Sequence, residues 1–326
     1  REKLAYLIDA TSAPVCVMIP LNAWGAFIIS LVASTGVENP LQVFIAAVPL
    51  NLYAITAILL AGVVIWKNIN IGPMKKAEER TQRGELLWPD SVPLIDVSAE
   101  RDVAGEQEAP SAWLMLLPIL AMVAMMPISL YITGEGSIIN GSGSVAVLWS
   151  VCFAIAVAWT MTLIRGSSSV SELMHVFMKG AGGMLPIAII LLFALALGDV
   201  ANALGTGAYV ANLVSGNIAP VLLAPLVFLV SAFIAFSVGS SWGTFAIMIP
   251  IAVPIAMTLG IPVPLMLGAT ISGAIFGDHA SPISDTTVLA SMASASDHID
   301  HVRTQLPYAL LAAAIASVGF LIMGLI

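Results

Sequence analysis

Gly277-Asp278-His279-Ala280-Ser281-Pro282-Ile283-Ser284-Asp285-Thr286-Thr287 sets two carboxylates, a histidine and four hydroxyls inside a run that is otherwise apolar from Met184 to Ala295. An ionised side chain at the centre of a bilayer costs about 2.5–3.5 kcal/mol on insertion scales, so charge in such a place marks an ion path, a proton relay or a binding site. Gly277 and Pro282 favour a turn, and irregular backbone can offer its free carbonyls as ligands where it lines a cavity. The stretch predicts a helix broken at a polar site rather than a continuous span.

The surrounding composition fixes a membrane as the setting. Of 326 residues, 59% are hydrophobic and 9% are charged, against about 25% charged in soluble domains. The net charge of −8 says little about partners, because half of the 11 basic and 19 acidic residues lie between Lys67 and Glu108. No nucleic-acid partner is expected; the bilayer is. Cys16 and Cys152 sit in apolar runs, where a thiol behaves as a small hydrophobe, and neither is expected in a disulfide or metal site. The chain opens Arg-Glu-Lys-Leu-Ala-Tyr with no signal-peptide pattern, which suggests part of a longer protein.

A spanning helix needs about 20 apolar residues. Val15 to Ala33, Leu41 to Trp66, Ala112 to Tyr131, Val145 to Leu163 and Leu306 to Ile326 meet that length. Beyond Met184, breaks are expected at Gly198-Asp199, Gly239-Ser240-Ser241, Gly260-Ile261-Pro262 and Gly277 to Asp285. As one helix, Pro220 to Leu259 would be about 60 Å long, twice the hydrocarbon thickness. The fold class is therefore an all-α, polytopic transmembrane bundle with broken helices and re-entrant hairpins.

Lys67, Lys75, Lys76, Arg80 and Arg83 place the polar loop 67–110 on the cytoplasmic side, with Arg165, Lys179 and Arg303 marking further cytoplasmic connections. Ser34 to Pro40, Ile132 to Ser144 and Gly198 to Pro220 lack Lys and Arg and fall outside. From Pro89 to Pro110 the loop is acidic and aperiodic, which reads as a solvated tether.

Asn22-Ala23-Trp24-Gly25-Ala26-Phe27 echoes Ser240-Ser241-Trp242-Gly243-Thr244-Phe245, each at a polar interruption. Matched interruptions in two halves point to inverted repeats and to a binding site between them.

Oxygen-bearing side chains suit hard cations, a rule extended here to sodium. The strongest set is Asp278, Ser281, Ser284, Asp285, Thr286 and Thr287. Against it stands the plainer reading that Ser284 or Asp285 caps a helix starting near Thr286, which leaves Asp278 and His279 unexplained. His279 could transfer protons or orient its neighbour. Asp9 and Thr11, in Asp9-Ala10-Thr11-Ser12-Ala13-Pro14, form either a further ligand group or a cap, and Asp199 reads as a turn residue. Asp297-His298-Ile299-Asp300-His301 has metal-ligand types, but Arg303 beside it favours a solvated or gating segment.

Gly277 to Thr287, followed by Asp297 to Tyr308, resembles the signature of the NhaC-type sodium/proton antiporter family. Ser241-Trp242-Gly243-Thr244-Phe245, Leu197-Gly198-Asp199 with Leu204-Gly205-Thr206-Gly207, and Asp9 to Val15 support the likeness. The resemblance implies a first region, 1–66, that is the remainder of one transmembrane repeat. The loop 67–110 then leads to a second transmembrane region, 111–326, carrying the ion-binding hairpin. It implies a multi-pass protein of the cell (inner or plasma) membrane that exchanges Na+ for H+ by alternating access. No cofactor is implied beyond Na+ and H+ as transported ions, and homo-oligomer formation stays open.

By the same resemblance Asp278 and Asp285 are the ion-coupling pair and hold Na+. Ser281, Ser284, Thr286, Thr287, Ser241, Thr244, Asp9 and Thr11 complete the ion site, and His279 joins in proton coupling. Two neighbouring carboxylates cannot both ionise cheaply, so proton and sodium would compete for them. Relatives that exchange malate for lactate or carry amino acids keep an organic-substrate antiporter open, although the Gly277–Thr287 cluster holds no Arg to anchor a dicarboxylate. An intramembrane aspartyl protease fits less well, since Ile275 stands where a Gly-x-Gly-Asp motif needs glycine. A passive channel would call for symmetric rings rather than one asymmetric cluster.

Overall fold

The computed structural model describes residues 1–20, 22–93, 111–136, 141–166, 168–204, 209 and 219–325. Among them every regular element is a helix, the form that satisfies its own backbone groups in lipid. In chain order these are α1 (Glu2–Ala10), α2 (Ala13–Cys16), α3 (Ala23–Ser34), α4 (Pro40–Ala47), α5 (Leu52–Lys67), α6 (Pro73–Gln82), α7 (Trp113–Thr133), α8 (Gly143–Ile164), α9 (Val170–Ala203), α10 (Leu223–Val238), α11 (Ser241–Leu259), α12 (Val263–Ala280), α13 (Asp285–Ser294) and α14 (His298–Leu325). Among the described residues, α7, α8, α10, α11 and α14 are long and apolar enough to cross a membrane. A sixth span results if α4 and α5, bent by 44° at their junction, count as one.

The centre of the bundle is α12, buried on nearly every side by α10, α11, α14, α5 and α4. Small residues let α10 approach closely, the packing mode on which helix association in lipid depends. A Cβ on Gly273 would lie 2.2 Å from the Phe228 carbonyl oxygen, and one on Gly277 would lie 2.4 Å from that of Ala232. Phe228, Phe245, Ile249, Phe44, Ile28 and Phe320 close the core around this contact. By contrast α7 and α8 pack mainly on each other through Met126, Leu130 and Ala146, and turn most of their apolar surface outward.

The expected breaks at Gly239-Ser240-Ser241, Gly260 and Gly277 to Asp285 separate helices in the structure. Gly239 (φ 69°) lets α10 end in the left-handed region, and a Cβ there would meet Ile283 at 2.6 Å.

Other sequence expectations need correction. Val15 to Ala33 is not one span: α2 stops at Cys16 and α3 begins after Asn22. The Asn22 side chain donates to the Cys16 carbonyl at 2.7 Å and accepts from the Gly25 amide at 2.9 Å, so this turn satisfies itself. Leu41 to Trp66 bends at Val48-Pro49-Leu50, a 3-10 turn. The Gly198-Asp199 step does not break α9, which continues to Ala203 and contains Lys179 well inside it. Gly205-Thr206-Gly207 and 94–110 lie outside the described residues.

The 67–110 segment packs onto the bundle ahead of the Pro89–Pro110 stretch read as a tether, and the described start of that stretch is held as well. Arg80 of α6 is fully buried, with Nη2 2.7 Å from Glu2 Oε1 of α1 and its guanidinium 4.6 Å from the Trp88 ring centre. Ser91 and the Val92 amide then bind Asp300 and Asp297, which fixes the segment to the start of α14.

Candidate functional site

Five helix ends or first turns, together with the third turn of α14, meet around two buried carboxylates. Asp278 lies in the last turn of α12, 1% exposed. Ser241, the first residue of α11, donates its hydroxyl to Asp278 Oδ2 at 2.9 Å, and Ser284 donates to Oδ1 at 2.6 Å. Ser284 is also the N-cap of α13, accepting from the Thr287 amide at 3.4 Å. Ser284 is therefore both the cap of α13 and a hydrogen-bond partner of Asp278. Because each hydroxyl stands at the start of a helix, the positive ends of α11 and α13 add to the stabilisation of a charge on Asp278.

Asp9 lies in the last turn of α1 and is 0% exposed. Its Oδ2 accepts from Gln305 Nε2 of α14 at 2.7 Å and from the Thr287 hydroxyl at 3.1 Å. Thr287 also lies 3.4 Å from the Asp278 carbonyl, so one side chain spans the two acidic residues. Among the described residues, buried Asp9 Oδ1 finds no hydrogen-bond partner, and neither does His279 Nε2, 4.0 Å from Asp9 Oδ2. The other ring nitrogen of His279 bonds the Tyr53 hydroxyl of α5 at 2.6 Å. Both carboxylates stand at helix C-terminal ends, where unpaired carbonyls already carry partial negative charge. Such positions favour a cation or a proton over further negative charge.

The remaining expected residues fall into two groups. Thr286 touches Ser284 at 3.0 Å, and Ser281 binds the Phe236 carbonyl at 2.8 Å, so both brace the break. Thr244 and Thr11 turn their hydroxyls back onto their own helices, to Ser240 O at 3.0 Å and Leu7 O at 2.6 Å. Asp285 is exposed, and the pairing with Asp278 as two buried carboxylates does not hold. It opens α13, where a carboxylate facing solvent is favoured by the helix N-terminus without any ion. The buried acid that the fold brings to Asp278 is Asp9.

The reading of Asp297 to His301 as solvated also changes. His301 is fully buried between Ser291 and Gln305. Among the described residues no group of three or more His, Cys, Asp and Glu is placed to hold a metal.

Gln305 and Tyr53 were not singled out from the sequence. Gln305 donates to Asp9 and to the His279 carbonyl, joining α1, α12 and α14. A lone amide at the start of an apolar span was its only signal. Tyr53, an aromatic within an apolar run, gave none.

The two tryptophan-glycine segments meet. Trp24 and Trp242 ring centres are 5.3 Å apart, and Phe27 meets Trp242 edge-on at 4.8 Å. Both segments start a helix with the same device, since Ser240 caps the Gly243 amide as Asn22 caps Gly25.

The site thus gathers buried carboxylates at the broken ends of helices in a bundle that contains membrane-length apolar helices. The chain belongs to the Na+/H+ antiporter family, which it matches over residues 15–325. It is 32% identical over 345 residues to an uncharacterised protein of Haemophilus influenzae, covering 99% of this chain and 64% of that one. It is 30% identical to the arginine/ornithine antiporter ArcD of Halobacterium salinarum, over 67% of this chain and 43% of that one. A malate-2H+/Na+-lactate antiporter of Bacillus subtilis is 32% identical over 52% of this chain and 37% of its own length. The chain thus spans less than two thirds of these relatives.

Proposed function

We propose that this chain forms the ion-coupling part of an antiporter that exchanges Na+ for H+ across the cell membrane, with Asp278 as the principal cation ligand and Asp9 as its partner. The observation that carries this reading is the Asp278 carboxylate, buried yet held on both oxygens by hydroxyls from two helix starts. A hydroxyl that donates to a carboxylate can rotate and turn its lone pairs to a cation without moving its oxygen. Ser241, Ser284 and Asp278 then offer hard oxygen ligands at one place. The segment 67–110 lies on the cytoplasmic side in this reading.

Two neighbouring buried carboxylates, with the Thr287 hydroxyl between the Asp9 carboxylate and the Asp278 backbone carbonyl, cannot both stay ionised cheaply in a medium of low dielectric. Sodium relieves the repulsion when both are ionised, and a proton does so otherwise. The two cargoes therefore exclude each other, and alternating exposure of the site converts that competition into exchange.

The test is sodium-driven collapse of a pH gradient in proteoliposomes holding the full-length protein. Asp278→Asn is expected to abolish it, and exchange at the wild-type rate would remove Asp278 from the mechanism. A second reading, an organic substrate exchanged at the same site, draws on the amino-acid and malate/lactate relatives. Collapse by malate or basic amino acids but not by sodium would select it.

A further inference from the structure

Beyond the two carboxylates a hydrogen-bonded row runs from Asp9 to the partly exposed start of α14. His298 Nδ1 is 3.1 Å from Ser291 Oγ, and His301 Nδ1 is 2.8 Å from the same oxygen. His301 Nε2 is 2.8 Å from Gln305 Oε1, and Gln305 Nε2 reaches Asp9 Oδ2 at 2.7 Å. At the outer end His298 Nε2 lies 2.6 Å from the Pro282 carbonyl. Ser291, His301 and Gln305 are each 0% exposed.

The partners dictate where the hydrogens go. Pro282 O only accepts, so His298 carries hydrogen on Nε2. The Gln305 amide nitrogen faces two acceptors, Asp9 Oδ2 and the His279 carbonyl; its oxygen therefore faces His301, whose Nε2 must carry hydrogen. With both rings neutral, both Nδ1 atoms are bare and point at Ser291. The serine hydroxyl also lies 2.8 Å from the Thr287 carbonyl. One hydrogen thus faces two bare ring nitrogens besides a carbonyl already paired within α13, so one ring nitrogen is left without a donor, at about 1–3 kcal/mol where it is buried. One added proton on His298 resolves the conflict: His298 Nδ1–H donates to Ser291, and the serine hydrogen turns to His301 Nδ1. His298 takes it rather than His301 because the fully buried ring would lose more hydration on charging.

We propose that His298, Ser291 and His301 form a proton-binding switch, read out at Asp9 through the positioning residue Gln305. With the proton bound, every link from Pro282 to Asp9 is made and the ends of α1, α12 and α14 are held together. Loss of the proton leaves the row one hydrogen short and frees the His301–Gln305 arm. The charged and titratable groups around the pair are Asp9 and Arg1 of the α1 segment, Arg1 binding the Ala295 carbonyl at 2.8 Å, together with His279 of α12. Asp285 opens α13, and on the histidines' own helix and its start lie Asp297, Asp300 and Arg303, the two acids engaged by Val92 and Ser91. Proton binding stands by itself, while its consequence for transport rests on the proposed exchange.

The experiment is a nuclear magnetic resonance pH titration of the full-length protein in nanodiscs with isotope-labelled histidine, the chain's four histidines being assigned by single substitutions. His298 should become doubly protonated on acidification. His301 should keep its Nε2–H tautomer, with its Nδ1 resonance moving in step with the His298 titration. Ser291→Ala and, separately, the half-exposed His298→Gln should each abolish that linked movement. A His301 resonance that ignores the titration of His298, or a His301 bearing hydrogen on Nδ1, would overturn the switch. Exchange assays on the same preparations read the transport proposal separately. There the pH profile of exchange should shift in both variants relative to wild type, over and above the acid release of sodium at Asp278, and profiles identical to wild type in both would also count against the switch.

Discussion

Asp278 and Asp9 are both buried acids at the ends of helices, yet their oxygens are treated differently. Asp278 has a hydroxyl donor on each oxygen, each from the start of a different helix. Asp9 has both donors on Oδ2 and none on Oδ1. The difference teaches that burial alone does not make an ion site. Asp278 has two hydroxyls able to turn lone pairs toward a cation, whereas Asp9 has one, Thr287, beside an amide of Gln305 that offers only hydrogens. In the proposed mechanism Asp9 carries or loses a charge beside the site, and Asp278 binds the cation.

The largest expected effect is that of Asp278→Asn, which should remove both sodium binding and exchange while leaving the protein monodisperse. Asp9→Asn should come next: exchange falls at least about tenfold, but sodium still binds with affinity weakened by about tenfold, or ~1.4 kcal/mol. Calorimetric titration of both variants would show whether they differ, and equal loss of binding would erase the contrast between the two acids.

Ser241→Ala and Ser284→Ala should each weaken sodium binding by about tenfold, because a hydrogen bond to a charged group contributes about 1.5–3 kcal/mol. Ser284→Ala should in addition lower the melting temperature, since loss of an N-cap costs about 0.5–2 kcal/mol. Ser241 is not a cap, so a similar melting shift in Ser241→Ala would contradict the separation of roles. The smallest effect belongs to Asp285→Asn. An exposed first-turn carboxylate contributes about 0.3–1 kcal/mol to its helix, and exchange should remain within twofold of wild type.

Much of this arrangement was legible in the chain. Gly239, Gly260 and the Gly277–Asp285 stretch announce breaks because glycine with proline or hydroxyl residues interrupts an apolar run there, although single prolines and Gly198-Asp199 lie inside continuous helices. The Trp24 and Trp242 segments announce each other by sequence and meet in space. Other features were hidden for physical reasons. Asp285 reads like Asp278 by residue type, and only the direction of α13 decides that one faces solvent while the other is buried. Asp9 lies 269 residues from Asp278, so nothing local could pair them; the Thr287 link depends on tertiary packing. The Val48-Pro49-Leu50 turn and Asn51 part α4 from α5 within a run apolar enough on average to read as one span. Arg80 looked like a loop charge until the fold supplied Glu2 as its partner. Removing one member of such a buried pair costs about 3–5 kcal/mol, so a residue in a polar loop has core-like importance.

Equilibrium binding of radiolabelled sodium to the purified full-length protein, wild type beside Asp278→Asn and across a range of pH, tests the central claim most directly. Wild type should bind sodium and release it on acidification, and Asp278→Asn should bind none at any pH. Sodium binding by Asp278→Asn with wild-type affinity and the same release by acid would contradict the placing of the cation at Asp278.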